Sequence, residues 1–229
     1  WKAIEALDGR VENAAQMEML IDSSRLIERG TLWFLRSRRL TEDMAATIAQ
    51  FTPRADALAS RLPELTEGAD RARVDAAIDG YTARGVPKQL AARVVALDTL
   101  YSTLDIVEVG DATGRPVELV AQIYFSVSTK LGLPWLRDQL AALPEDQHWS
   151  RLAKGAMQDD LSALQRTVTT EVLIGGASID DPQALIASWQ ERNCRAIERA
   201  GQLLGELRAA PSLDPAMFSV ALRELRSLG

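Results

Sequence analysis

Four residues, Pro116, Gly132, Pro134 and Pro144, divide the middle of the chain into segments whose apolar residues recur every three or four positions. This pattern restricts the fold more than any other feature. Between Pro116 and Gly132, the row Val120, Tyr124, Val127, Leu131 makes a single apolar stripe on a helix. Proline suits the first turn, where its missing N–H is no loss, and glycine suits the stop. Pro134 restarts a short helix with Leu136, Leu140 and Leu143 on one side, and Pro144 ends it. Ala153, Met157, Leu161, Leu164, Val168 and Val172 then mark a long amphipathic helix from near Trp149 to near Val172.

The flanks follow the same grammar. Two apolar rows, one through Met17, Leu20, Ile27 and Phe34 and the other through Met19, Leu26 and Trp33, predict a long helix from near Val11 to Arg39 that is buried on two sides. Short helices follow up to Pro53 and Pro63. A further helix covers 67–84, with Val74 and Ile78 inward and Gly85 closing it, and another begins at Pro87. Ile174 to Ile179 has the glycine content of a flexible connection. Asp181-Pro182 and Asp214-Pro215 are paired start signals, a capping carboxylate followed by proline at the first helical position. The first opens a long helix through Trp189, Asn193, Ile197, Leu204 and Leu207, and the second a terminal helix through Phe218, Leu222 and Leu225. No strand alternation is visible, so the expectation is an all-α, multi-helix bundle of about eight to ten helices.

Composition narrows the function classes. A net charge of −6 weighs against nucleic acid as a partner, since phosphate binding needs a basic face. No apolar run reaches the roughly 18–20 residues of a membrane span, and the N-terminus lacks a signal pattern. The lone Cys194 cannot close an internal disulfide, which fits a reducing cytoplasm. In a helix it is expected to be a small packed hydrophobe. His148, the only histidine, stands three residues after Glu145, half of a di-iron spacing that would need a second pair. No G-x-G-x-x-G follows a strand. The residues thus indicate no catalytic, cofactor-binding or metal site.

Groups suited to contacts are easier to find. Arg36, Arg38 and Arg39 form a tight basic cluster at a helix end, read first as cations favoured at a helix C-terminus and second as a dock for a carboxylate or an acidic surface. Asp98, Asp105 and Glu108 share a helical face, read first as an ordinary solvated face and second as a patch that would meet a basic surface. Trp33, Trp135, Trp149 and Trp189 are expected to be core or interdomain anchors. Asp160 is expected to pair with an arginine, and Gly201 and Gly205 to mark a helix contact.

Several runs carry a resemblance: Trp1-Lys-Ala-Ile-Glu-Ala-Leu-Asp, Trp33-Phe-Leu-Arg, Asp105-Ile-Val-Glu-Val, Thr113-Gly-Arg-Pro-Val-Glu, Leu131-Gly-Leu-Pro-Trp-Leu-Arg-Asp-Gln-Leu, Asp159-Asp-Leu and Phe218-Ser-Val-Ala-Leu-Arg-Glu-Leu. Together they are similar to the C-terminal region of the large bacterial NAD-specific glutamate dehydrogenases. The resemblance implies a single C-terminal helical domain over 1–229, with a subdivision near 85 and the connection near 174–180. Its role would be structural or regulatory. The parent would be a cytoplasmic, homo-oligomeric oxidoreductase of amino-acid catabolism that converts L-glutamate to 2-oxoglutarate and ammonia with NAD. The active site and the NAD would lie in the preceding catalytic domain, the expected partner of this piece. The start at Trp1, already within a helical pattern, fits a piece of a longer chain. Two rival expectations are a self-standing helical interaction module and an effector-binding domain at Arg36 to Arg39.

Overall fold

Helix punctuation becomes helix boundary around Pro116, Gly132, Pro182 and Pro215. The computed structural model describes residues 46, 49, 53, 54, 57, 58, 61, 65, 66, 68–88, 91, 92, 95, 100–143 and 148–226. Every element bounded among them is an α helix: α1 (Gly68–Ala83), α2 (Leu100–Thr113), α3 (Val117–Lys130), α4 (Leu133–Ala142), α5 (His148–Gly175), α6 (Pro182–Arg192), α7 (Cys194–Ala209) and α8 (Pro215–Arg226). The all-α expectation holds. The long helix expected from Val11 to Arg39 lies outside the described residues.

The chain divides into two compact units, Trp1–Thr66 with Arg71–Val107, and Glu67–Asp70 with Glu108–Gly229, the second boundary falling inside α2. In the first unit, α1 turns Val74 and Ile78 inward against Val86, Ala91 and Val95, with Tyr81 and Ala92 alongside. Gly85 closes α1 with φ 90°, a conformation open to glycine at little strain.

In the second unit α5 is the common surface, packed by α3, α4, α6 and α8. Its inward row, Met157, Leu161, Leu164, Val168 and Val172, is the stripe read from the sequence. Helix α3 opposes it with Val120, Tyr124 and Val127, and α8 with Phe218, Leu222 and Leu225, all buried. Gly132 links α3 to α4 at φ 62°, and an added Cβ there would lie 2.8 Å from Leu204 Cδ1. Handedness and space therefore both call for glycine.

Both start signals work as caps. Asp181 Oδ2 accepts the Ala184 N–H at 2.7 Å, and Asp214 Oδ1 accepts the Met217 N–H at 2.9 Å. The long helix expected after Pro182 is broken in two at Asn193, whose Nδ2 donates to the Trp189 carbonyl at 3.1 Å. A short amide that bonds its own backbone competes with helix continuation, and periodicity alone does not show this.

The Ile174–Ile179 connection is tied down rather than loose. Arg115, from the turn before α3, donates through Nη1 to the Ala177 carbonyl at 2.8 Å and through Nη2 to the Ile179 carbonyl. Nη2 also pairs with Asp180 Oδ1 at 3.2 Å. Two charge-assisted bonds to carbonyls contribute about 1.5–3 kcal/mol. Arg115→Met is expected to lose that stability, and hydrogen exchange should show faster opening of the amides of 176–181; unchanged exchange there would rule out the tie.

Candidate functional site

The residues singled out in the sequence do not assemble into one site. Arg36, Arg38, Arg39 and Asp98 lie outside the described residues. On α2, Asp105 is buried, 1% exposed, and engaged within the fold, while Glu108 is half-buried, so these two do not form an open acidic face. Cys194 begins α7 exposed rather than packed. Gly201 and Gly205 are exposed, with nothing within 4 Å of an added Cβ, so neither receives a helix. The tryptophans separate. Trp189 is buried, Trp135 is half-buried with the Arg208 guanidinium 5.0 Å from its ring centroid, and Trp149 stands 75% exposed.

The polar groups in the second unit mostly join helices. Arg137 of α4 donates through Nη1 to Ser128 Oγ of α3 at 3.2 Å and through Nη2 to Gln165 Oε1 of α5. Gln165, 1% exposed, donates through Nε2 to the Tyr124 carbonyl of α3 at 2.8 Å. This network was missed in the sequence because Gln165 follows Leu164 on the apolar side of α5, with no partner within one turn. Asp160 does pair with an arginine, Arg226 of α8, at 2.6 Å, but the pair is partly exposed. Arg199 and Glu224 link α7 to α8 at 2.9 Å. Exposed pairs of this kind contribute little, at most about 1 kcal/mol.

A cavity of about 30 Å³ lies between α5, α6, α7 and α8, lined by Leu164, Val168, Trp189, Asn193 and Ile197 with Glu171 at its rim. That is room for one or two waters, not for an organic ligand. Partial loss of water pushes the Glu171 carboxyl above its ordinary range. The folded state then holds this proton more tightly than the unfolded chain. Ionised Glu171 therefore opposes folding, and the penalty is relieved as pH falls through the raised pKa. Glu171→Gln is expected to raise the melting temperature slightly at neutral pH and not in acid, with thermal melts at both pH values as the check; an equal change at both would remove the carboxylate as cause.

Among the described residues, no three His, Cys, Asp or Glu side chains converge as a metal ion would require. No helix among them is long and apolar enough to cross a membrane. The described residues are thus all-α, and in the second unit the polar network of Arg137, Ser128, Gln165 and the Tyr124 carbonyl joins helix to helix.

The family follows from comparison. A family model described as "Glutamate dehydrogenase, C-terminal" matches residues 1–227, and the chain belongs to that family. Relatives named NAD-specific glutamate dehydrogenase are 40% identical over 228 residues in Pseudomonas aeruginosa and 31% identical over 230 residues in Halomonas elongata. A relative of the same name in Mycobacterium tuberculosis is 31% identical over 228 residues. Each match covers 100% of this chain and 14% of the relative, so the chain spans about a seventh of the length of the proteins it matches.

Proposed function

We propose that this chain is the C-terminal helical domain of a larger, cytoplasmic and homo-oligomeric NAD-specific glutamate dehydrogenase. The parent oxidises L-glutamate with NAD to 2-oxoglutarate and ammonia, and this region braces the catalytic part while holding neither substrate nor NAD itself. The observation that carries the reading is a family match running from residue 1 to residue 227, beside relatives of which the chain spans only 14%. The bundle supports it, because its buried polar groups link Arg137, Gln165, Ser128 and the Tyr124 carbonyl to one another.

The test compares two proteins, the full-length gene product and residues 1–229 alone. The full-length protein should reduce NAD with L-glutamate. The shorter one should be helical by circular dichroism and give no turnover. Turnover by the shorter protein would overturn the division of labour, and its absence from the full-length protein would overturn the enzymatic reading.

A further inference from the structure

The small cavity between α5, α6, α7 and α8 combines chemistry that the rest of the core keeps apart. Two rows meet across it: Leu164, Val168 and Glu171 at i, i+4 and i+7 on α5, and Trp189, Asn193 and Ile197 at steps of four through the α6–α7 break. Each row sets one polar side chain among apolar ones. Asn193 Nδ2 is bonded to the Trp189 carbonyl at 3.1 Å, which leaves Oδ1 as the amide atom able to accept. Among the described residues nothing donates to the Glu171 carboxylate, and loss of water is the cause of its raised pKa, with no charge or donor offsetting it. Two acceptors, one of them anionic, thus border a space of about 30 Å³. The guest that complements them is a cationic donor about the size of a water molecule.

We propose that this cavity is a binding site for the ammonium ion, which Glu171 neutralises and Asn193 Oδ1 orients. Calcium and magnesium are the poorer match, because they gather about six or more oxygen ligands, and the wall supplies only these two oxygen-bearing side chains. Ammonium brings its own N–H donors and tolerates a tryptophan beside it, here Trp189. Glu171 stays open to water on its outer side, so the ion sheds only part of its hydration shell. A guest held by both groups ties α5 to the α6–α7 break. Binding rests on the cavity alone. Its use rests on the reading given under Proposed function, in which ammonia is a product of the parent enzyme, and on that reading the tail domain takes up a product of the enzyme it belongs to.

The experiment follows hydrogen exchange of the full-length protein at neutral pH in equal concentrations of ammonium, potassium or tetramethylammonium chloride. At about 100 mM salt, a site half-filled at about 50 mM slows local opening about threefold. The amides of 193–197 should therefore exchange about threefold more slowly in ammonium than in either other salt. Equal rates in all three salts, or equal protection by potassium, would overturn the proposal. Two variants locate the effect: Glu171→Gln removes the counter-charge, and Ala196→Leu fills the cavity while leaving the carboxylate. The ammonium difference is read within each variant, so a change in its own stability cancels. Both should lose the difference, and its survival in either would overturn the site. Glutamate-dependent NAD reduction is assayed separately on the same protein. An inactive protein that still shows ammonium protection refutes the enzymatic reading alone, whereas an active protein without it refutes the ammonium site alone.

Discussion

Phe218→Ala is expected to destabilise the second unit by about 3–5 kcal/mol, the range for truncating a buried aromatic where neighbours cannot collapse into the space. Phe218 is 1% exposed near the start of α8, and α8 packs on α5. With Leu222 and Leu225 it forms the whole stripe of larger buried side chains that α8 brings to that contact. Urea unfolding followed by circular dichroism measures the loss. A change below about 1 kcal/mol would mean that α8 is not held on α5 through this ring. Leu222→Val is a useful companion, since removing one methylene should cost only about 1 kcal/mol and leave the helix docked.

The second large effect is expected at Gln165, and there the pattern across variants matters more than any single value. Gln165→Leu keeps the volume but removes the acceptor for Arg137 and the donor to the Tyr124 carbonyl. A half-buried guanidinium is left short of a partner, at a cost of about 2–3 kcal/mol. Arg137→Met in the same background removes the stranded charge, so the double variant should recover at least half of the loss, as when a buried polar group and its partner are replaced together. Additive losses in the double-mutant cycle would show that the two side chains are energetically independent.

The sequence carried the helices well because each is signalled twice, by an apolar stripe and by a stop or start residue. Gly132 and the Asp-Pro pairs at 181 and 214 are local chemistry, and local chemistry survives folding. What stayed hidden depends on distant partners. Arg115 reaches Ala177, and Gln165 reaches Tyr124, across more than forty residues, and no periodicity encodes such meetings. Cys194 and Gly201 illustrate the opposite error, in which residue type suggested packing but the helix turned them to water. Trp149 was legible as an anchor but not as an exposed one, because its row diverges from the core row only once α5 is placed among its neighbours. A family-level likeness was legible from short runs such as Leu131-Gly-Leu-Pro-Trp, whereas the cavity was not, since each run records what a segment is and not what lies across from it.

Because α5 is the surface on which α3 and α4 settle, those two helices must wait for it as the polypeptide is made. Their greasy sides, including Tyr124, Leu136 and Leu140, leave the ribosome before the row from Met157 to Val172 has been synthesised. At about 5–20 residues per second the interval lasts a few seconds. During that time newborn chains are exposed to one another and to chaperones, and slowing translation across α5 should lower the soluble yield more than slowing it across α8.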